Sequence, residues 1–576
     1  MFVNDQSTGF RREPASADLP LPNVGAWYWR SLSPRWLLTG RVDWFSASIG
    51  DYSGGLWNAG RLGSISLLLG GALLAGCASL PENFSREVSV KLDAPDTTLA
   101  RTFAAHASEH PGQSGAYPLA QGMDALAARV LLARRAEKSL DVQYYIWHGD
   151  QSGRLLLKEL LDAADRGVRV RLLLDDLGVG AADDNAFLLL DAHPNLSVSL
   201  FNPIASRDAR TAGLVADPKR LNRRMHNKSM TADNTLTVVG GRNIGDEYFS
   251  LNELFNFADM DVLAVGPVAD QVGDSFDAFW NSPATYPVSA FHGEATSPDR
   301  YARARAKLDA QVAGDGAPYY EAMAATPLGL HLRAQDLGFY WGTMVALHDA
   351  PGKALGLQES DVLLKQLGSV LGRAQTDLLI LSPYFVPGKR GTEALVAAVE
   401  RGVRVRVATN SLASTDVGAV HAGYKKSRRD LLEGGVELFE MMPKLSADAA
   451  GKFSFTGSSG ASLHAKSFII DRRSVFIGSM NLDPRSVRIN TEIGLLIDSP
   501  ELARELESRY EAGLAKACYV VVLEPRNPDK PGGNKKLVWI ENRDGEEIRY
   551  DKEPQTTFWQ RFGVGLIGLL PVDSQL

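Results

Sequence analysis

The hexapeptide Arg-Gly-Val-Arg-Val-Arg occurs twice, at Arg166–Arg171 and at Arg401–Arg406. An apolar segment typical of a buried strand precedes each copy, LDVQYYIW in the first case and DLLILSPYF in the second. The helix-like stretch in between ends at the glycine of the hexapeptide, Gly167 or Gly402. Strand, helix and strand in this order predict a βα unit of a parallel sheet. Its recurrence predicts two copies of one α/β domain.

A second pair of motifs lies downstream of the two hexapeptides. Each copy carries His-x-Lys-x4-Asp, within MHNKSMTADNTLTVVGGRN in the first and LHAKSFIIDRRSVFIGSMN in the second, and each aspartate is followed at the same spacing by a glycine and an asparagine. One such match can arise by chance, but two in a duplicated domain indicate a shared function. The candidate residues are His226, Lys228, Asp233 and Asn243 in the first copy, and His464, Lys466, Asp471 and Asn481 in the second.

The spacing of this motif suits chemistry on an anionic phosphate. Residues i and i+2 of a strand share one face, so each histidine stands beside its own lysine. Two such motifs facing each other across a domain interface would surround one centre with two imidazoles, two ammonium groups and two amides. Because an imidazole can attack phosphorus or donate a proton near neutral pH, the pattern predicts phosphodiester chemistry.

The paired motifs resemble the HKD motifs of the phospholipase D superfamily, and the likeness extends from about Leu119 to the end of the chain. The resemblance implies an α/β fold of two tandem phospholipase D-like α-β-α domains that share one active site at their interface. It also implies a phosphohistidine intermediate formed without a metal or another cofactor. By analogy, His226 would be the nucleophile and His464 the general acid.

The resemblance further implies that a carboxylate holds each histidine. The matching positions are Asp259, in FADMD, and Glu492, in INTEIG. Asp233 and Asp471 of the motif itself would then be mainly structural, at the turn that follows each strand.

Within the superfamily, the chain is most similar to the C-type branch of bacterial cardiolipin synthases. The supporting strings are SLDVQYYIWHGDQSGRLLL, VGGRNIGDEYF, GSMNLDPRS and PVDSQL. This branch implies phospholipid substrates, with phosphatidylglycerol and phosphatidylethanolamine as the pair, and a monomer that works at a membrane. Hydrolysis to phosphatidic acid is the alternative, because water and an alcohol compete for the same intermediate. A net charge of −7 argues against a nucleic-acid partner, and the presence of both His-x-Lys pairs argues against a non-catalytic binding protein.

The segment before Cys77 predicts membrane attachment. Arg61 precedes the apolar run LGSISLLLGGAL and then Leu-Ala-Gly-Cys, which resembles the lipobox of a bacterial lipoprotein. Cleavage before Cys77 and lipidation of its thiol would anchor the protein to a membrane, facing the periplasm and with the outer membrane favoured. An uncleaved membrane helix over residues 62–80 is the alternative. Because 60 residues precede Arg61, the translation start is also in question.

The resulting domain plan has seven parts. The C-terminal apolar stretch FWQRFGVGLIGLLP is too short to cross a bilayer, and it either lies at a membrane interface or docks on the core. The predicted parts are an unassigned extension (1–60), a lipoprotein signal (61–76), a tether (77–118), a first phospholipase D-like domain (119–297), a helical connector (298–362), a second such domain (363–523) and a hairpin with the apolar tail (524–576).

Overall fold

The computed structural model describes residues 2–5, 25–33, 36–43, 79–82, 84–85, 88–179, 184–207, 209–251, 255–291, 297–334, 337–357, 362–443, 460–527, 529, 533–543 and 545–569. Cys77, the predicted lipidation site, and the predicted signal segment lie outside these residues. The strands are β1 Phe2–Asp5, β2 Gly25–Ser33, β3 Trp36–Asp43, β4 Ser114–Leu119, β5 Ser139–Tyr144, β6 Arg169–Asp175, β7 Leu196–Phe201, β8 Ser229–Ala232, β9 Leu236–Gly240, β10 Phe255–Ala258, β11 Asp261–Val265, β12 Thr285–Pro287, β13 Tyr340–His348, β14 Asp377–Leu381, β15 Arg404–Asn410, β16 Glu437–Met441, β17 Gly460–Leu463, β18 Ser467–Ile470, β19 Ser474–Gly478, β20 Ile493–Asp498, β21 Cys518–Pro525, β22 Lys535–Arg543 and β23 Glu546–Tyr550.

Helices separate most of the strands in the two homologous halves. None of the helices in the described ranges combines the length and the apolar character that crossing a bilayer requires. The helices are α1 Thr98–Glu109, α2 Gly122–Arg135, α3 Gln151–Asp165, α4 Asp184–Asp191, α5 Arg210–Ala216, α6 Pro218–Leu221, α7 Pro267–Trp280, α8 Pro298–Asp315, α9 Ala317–Ala325, α10 Pro327–Ala334, α11 Val362–Gly372, α12 Gly388–Glu400, α13 Gly418–Glu433, α14 Pro484–Arg488, α15 Pro500–Ala517 and α16 Phe558–Ile567.

The two halves repeat one strand arrangement. In the first half β5, β6 and β7 are parallel, and the antiparallel hairpin β8–β9 pairs with β5. In the second half β14, β15 and β16 are parallel, and the hairpin β18–β19 pairs with β14. The predicted duplication of an α/β domain is therefore confirmed, and each His-x-Lys motif precedes the hairpin of its own half.

The repeated hexapeptide has a structural explanation in both halves. Gly167 and Gly402 follow their helices with φ of 91° and 92°, a left-handed conformation that glycine adopts at little cost. The last arginine of each hexapeptide is buried and forms an ion pair with an aspartate on the first parallel strand of its half, β5 or β14. Arg171 Nε lies 2.7 Å from Asp141, and Arg406 Nη2 lies 2.5 Å from Asp377.

Strand β13 joins the two halves into a continuous sheet. Its first residues pair with β4 in the first half, and its last six residues pair with β20 in the second half. Side chains from both halves form one apolar cluster beneath the junction, including Val239 and Val262 from the first half and Ile477 and Leu495 from the second. Because this core is shared, the halves are fixed against each other across the line where the two motifs meet.

The structure differs from the predicted domain plan before and between the halves. The predicted tether ends in helix α1 and strand β4, and β4 pairs with β11 inside the first sheet. The polar composition of this segment reflects a helix that exposes one face to solvent and buries Leu99 and Phe103 on the other. The predicted helical connector contains α8, α9 and α10, and also strand β13.

The C-terminal part extends the second sheet. Strands β22 and β23 form an antiparallel hairpin over the segment where the sequence predicts one, and β22 pairs with β21. Strand β21 in turn pairs with β16. Helix α16 follows and packs on α13, so the C-terminal stretch is docked on the second half.

Candidate active site

The two histidines are held by backbone contacts that cross between the halves. His226 lies just before β8, and its N–H donates to the carbonyl of Thr491, at 2.9 Å, in the second half. His464 lies just before β18, and its N–H donates to the carbonyl of Ala258, at 2.8 Å, in the first half. Strands β10 and β17 reinforce this crossing as a parallel pair. Each motif is therefore positioned by the half to which it does not belong.

The carboxylates that hold the imidazoles also cross between the halves. Nδ1 of His226 lies 2.8 Å from Glu492 Oε2, and Nδ1 of His464 lies 2.6 Å from Asp259 Oδ2. Both carboxylates are fully buried. Because an ionised carboxylate only accepts hydrogen bonds, Nδ1 of each ring carries the proton. The lone pair of each neutral imidazole is then at Nε2, the nitrogen that can attack phosphorus or exchange a proton.

The two lysines lie beneath their histidines and are buried, with 1% and 0% of Lys228 and Lys466 exposed. Nζ of Lys228 donates to the carbonyl of His226 at 2.6 Å, and Nζ of Lys466 donates to the carbonyl of His464. Nζ of Lys466 also lies 3.2 Å from Nε2 of His464. An ammonium group buried this deeply requires negative charge nearby, and here Glu492 and Asp259 supply it.

Burial sets the electrostatics of the centre. It lowers the pKa of His226 to about 4, against the opposing effect of Glu492, and it lowers the pKa of Lys466 to about 8. Burial and the neighbouring Lys466 likewise lower the pKa of His464, and burial holds the pKa of Lys228 well below its usual value. Four basic groups compete for protons within one buried site. An anion placed among them would raise all of these pKa values, so the site favours anionic ligands.

Binding of an oxyanion is therefore expected to take up protons. Tungstate, which keeps its charge between pH 6 and pH 9, should bind with uptake of about one proton near pH 8, because it raises the pKa of Lys466 and its neighbours. Its affinity should fall as the pH rises through about 8. Titration calorimetry in two buffers of different protonation enthalpy measures the uptake, and Lys466→Met should reduce it. Release of protons at pH 8 would contradict this account of the site.

Aromatic rings form walls beside both histidines. The ring of Tyr145 lies 5.2 Å from the ring of His226, and Lys228 Nζ lies 5.4 Å from the centre of the same ring. On the other side, the rings of Tyr248 and Phe257 lie 5.3 Å and 4.8 Å from that of His464. These rings limit the orientations of the imidazoles and reduce access of water. Sequence reasoning missed them, because each belongs to an ordinary strand or turn pattern.

The residue after the motif glycine differs between the halves in a way that suits the carboxylate beside it. Ser479 Oγ donates to Glu492 Oε2, while its oxygen accepts from the N–H of Ile493 at 3.0 Å. The aligned residue in the first half is Gly241, where a Cβ atom would stand 2.4 Å from Asp259 Oδ1. Glycine is needed there because the shorter carboxylate approaches the backbone closely. Sequence reasoning missed Ser479, since the first copy has no hydroxyl at this position.

The two predicted phosphate-binding asparagines have different environments. Asn243 accepts from the N–H of Ile146 at 3.2 Å and donates to the hydroxyl of Tyr248 at 3.0 Å, so it links two loops of the first half. Asn481 is 3% exposed, and its Oδ1 has no hydrogen-bond partner within the described ranges. Of the two amides, Asn481 is the less constrained and therefore the better placed to reorient toward a ligand.

The aspartates of the two motifs point away from the histidines and bind backbone. The carboxylate of Asp233 accepts from the N–H groups of residues 137, 138 and 139, just before and within β5. Asp471 accepts in the same way from residues 375, 376 and 377, just before and at the start of β14. Both residues have a positive φ, 50° and 53°, which fits the hairpin turn. These contacts tie each hairpin to the first parallel strand of its half.

The residue that follows strand β13, Asp349, supports Glu492, and sequence reasoning missed it. The N–H of Asp349 donates to the carbonyl of Glu492 at 3.0 Å, and the carboxylate of Asp349 accepts from the N–H of Glu492 at 3.2 Å. Nζ of Lys353 lies 2.8 Å from the same carboxylate, and both side chains are buried. The connector therefore fixes the strand end from which Glu492 reaches His226. A single aspartate between a strand and a turn carries no sequence signal for this role.

One other cluster in the described ranges has ligand atoms close enough to hold a metal. His148, Asp150 and Glu247 offer atoms within 4.8 Å of one another. Asp150 is the N-cap of helix α3, where it accepts from Gly153 N at 3.1 Å, and it also accepts from the N–H of Asp246 at 2.8 Å. Capping and loop contacts account for this carboxylate without a metal.

Comparison with known proteins agrees with this arrangement. The family model for the cardiolipin synthase PLD-like domain matches residues 131–280 and again residues 367–513, so each match contains one His-x-Lys motif. Cardiolipin synthase C of Escherichia coli strain K12 is 43% identical over 470 residues, which cover 81% of this chain and 97% of that protein. An uncharacterized protein of Helicobacter pylori strain J99 is 32% identical over 82% of this chain and 91% of its own length.

A more distant relative is cardiolipin synthase A of Pseudomonas syringae, which is 27% identical over 70% of this chain and 70% of its own length. The repeated family match and the long alignment at 43% identity confirm the family that the paired motifs predict. The fold, two PLD-like domains with one motif each, is confirmed as well. The chain is thus an enzyme of the phosphodiester transferase type, and it belongs to the cardiolipin synthase family of the phospholipase D superfamily.

Proposed function

We propose that the protein joins phosphatidylethanolamine and phosphatidylglycerol into cardiolipin through a phosphohistidine intermediate. The observation that carries the proposal is the crossed pair of imidazoles, each with Nδ1 held by a carboxylate of the opposite half. A reaction that transfers a group in two steps needs one nucleophile and one acid–base group at a single phosphorus. The identity of 43% to cardiolipin synthase C supports the choice of lipids.

In the first step, Nε2 of His226 attacks the phosphorus of phosphatidylethanolamine. The P–O bond to the ethanolamine oxygen breaks, and Nε2–H of His464 protonates that oxygen, so that ethanolamine leaves. The phosphorylated imidazole gains positive charge, which Glu492 stabilises across the 2.8 Å contact with Nδ1. The anionic substrate raises the pKa of His464, and Lys466 lies close enough to its Nε2 to supply the proton.

In the second step, the glycerol headgroup of phosphatidylglycerol reacts with the intermediate. Its primary hydroxyl gives its proton to Nε2 of His464, and its oxygen bonds to phosphorus while the P–N bond to His226 breaks. Cardiolipin forms, Nε2 of His464 returns its proton to Lys466, and both imidazoles are again in their initial protonation states. Overall, one ethanolamine is released for each cardiolipin formed. The buried lysines support both steps because they hold positive charge beside the phosphate oxygens.

The proposal is tested by incubating the purified protein in detergent micelles with both lipids, with the headgroup glycerol of phosphatidylglycerol isotopically labelled. Mass spectrometry should find the label in the central glycerol of cardiolipin, with free ethanolamine in equal amount. Free glycerol in place of ethanolamine would identify phosphatidylglycerol as the donor and would overturn the assignment of phosphatidylethanolamine. Phosphatidic acid without cardiolipin would reject the transferase in favour of a hydrolase.

A further inference from the structure

Helix α16 presents apolar side chains on two opposite faces. On the inner face, Val564 is buried against Leu412 and Ala422 of the second half. The outer face is exposed to solvent, and a capping box at Thr557 fixes the start of the helix. We call the outer set the aromatic face; its members and their exposed fractions are Phe558 (61%), Trp559 (42%), Phe562 (43%) and Leu566 (40%), together with Leu569 (80%) just after the end of the helix.

The rings of the aromatic face form a compact cluster. Phe558 and Phe562 lie one helical turn apart with ring centres 6.0 Å from each other, and Trp559 lies 5.0 Å from Phe558 and 6.0 Å from Phe562. Scattered exposed apolar residues are common on protein surfaces, but a continuous aromatic cluster on one helix usually marks a contact surface.

The charge of this segment matches a phospholipid surface. Between Pro554 and Leu569 the chain has one charged residue, Arg561, and no acidic residue. The guanidinium of Arg561 donates to the carbonyl of Thr556 at 2.7 Å, which fixes it at the start of the helix. A helix with aromatic and aliphatic side chains on one face and a basic residue beside them is typical of segments that lie in the interface of anionic bilayers.

The aromatic face also lies close to the active site. Helix α16 packs on the loop that follows β15, through Leu412, and on the start of α13. In the same loop, the carboxylate of Asp416 accepts from the hydroxyl of Tyr384 at 2.7 Å; burial lowers the pKa of His464 and Lys466, and the charge of Asp416 partly opposes that lowering. The segment that supports the aromatic face is therefore the one that borders the second histidine.

We propose that the aromatic face of α16 inserts into the headgroup region of an anionic phospholipid bilayer and holds the active site against it. This inference rests on the proposed function, because phospholipid substrates reside in a bilayer and only their headgroups need to reach the histidines. Docking beside the site keeps the acyl chains in the bilayer during both transfer steps. A second copy of the chain is the competing occupant, but the basic residue and the closeness to the site favour the lipid surface.

The test compares vesicle binding by the full chain and by the triple variant Phe558→Ser, Trp559→Ser and Phe562→Ser. All proteins carry Cys77→Ala, so that no acyl group at that residue contributes to binding. In flotation assays with vesicles of phosphatidylglycerol and phosphatidylcholine, the affinity of the triple variant should be lower than that of the parent by a factor of roughly ten or more. The change Arg561→Gln should weaken binding to these vesicles but not to vesicles of phosphatidylcholine alone.

Control variants separate this proposal from the proposed function. Val88→Ser and Leu330→Ser, at positions away from α16 that are exposed by 82% and 53%, should leave vesicle binding unchanged. His226→Ala should bind vesicles as the parent does, whatever its activity. Equal binding by the triple variant and the parent would overturn the lipid-docking proposal. A change from dimer to monomer in the triple variant, with vesicle binding retained, would overturn it in favour of a contact between copies.

Discussion

His226→Ala should abolish transfer with every lipid donor, whereas His464→Ala should regain its first step when the donor has a good leaving group. Both variants are expected to lose at least about 10⁴-fold in rate with phosphatidylethanolamine, because one lacks the nucleophile and the other the acid. Phosphatidyl-p-nitrophenol needs no proton on its leaving oxygen. With it, His464→Ala should release a burst of p-nitrophenol close to one equivalent, and His226→Ala should release none.

This pair of variants also identifies the covalent residue. In His464→Ala the phosphatidyl group should remain on the protein, since the second step needs a base at that position, and peptide mass analysis should find it on His226. A burst in His226→Ala and none in His464→Ala would exchange the two roles. A burst in both variants would mean that neither histidine is the sole nucleophile. The side chains of His226 and His464 are only 12% and 9% exposed, so thermal unfolding of each variant is measured alongside to confirm that it is folded.

The chemistry of the site could be predicted from the sequence because it is encoded locally. His226 and Lys228 are two residues apart, and the same pattern recurs at His464, so the residue types and their spacing were available without any knowledge of tertiary structure. The turn role of the motif aspartates follows from their position at the end of a strand. Hydrophobic runs and the glycine after each helix indicated the parallel strands in the same way.

The resemblance implies that Glu492 and Asp259 hold the histidines, but which histidine each one holds could not be predicted, because this depends on how the halves dock. Glu492 and Asp259 each follow the motif of their own half in the sequence, yet each binds the histidine of the other half. Asp349 reaches Glu492 only because β13 pairs with β20. Such pairings join residues more than a hundred positions apart, and no local pattern specifies them. Ser479 has no counterpart in the first copy, so the duplication itself concealed it.

The crossed contacts mean that neither half contains a working site by itself. The first half has His226 without the carboxylate that holds it, and the second has His464 without its own. Docking is therefore a condition of catalysis as well as of stability, and the shared core around Val239 and Ile477 holds both dyads in position. Substitutions in this shared core should reduce activity even where they leave each half folded.

Glu492→Gln and Asp259→Asn are expected to reduce kcat by about 10²- to 10⁴-fold each, although neither residue bonds to phosphorus. An amide can present its NH2 group to Nδ1, which favours the wrong tautomer and removes the charge that stabilises the ring. Although burial alone raises the pKa of Glu492, His226 and Lys228 keep it below its usual value, so the group is ionised at neutral pH. With phosphatidyl-p-nitrophenol, Glu492→Gln should slow the burst, because His226 attacks in that step, and Asp259→Asn should leave it nearly intact.

The matched control is Glu507→Gln, which alters a buried carboxylate that binds Arg406 at 2.6 Å. This change should alter stability without changing kcat of the folded protein. If Glu492→Gln kept kcat within about threefold of the wild type, the carboxylate would serve packing alone and the crossed pairs would have no part in the reaction.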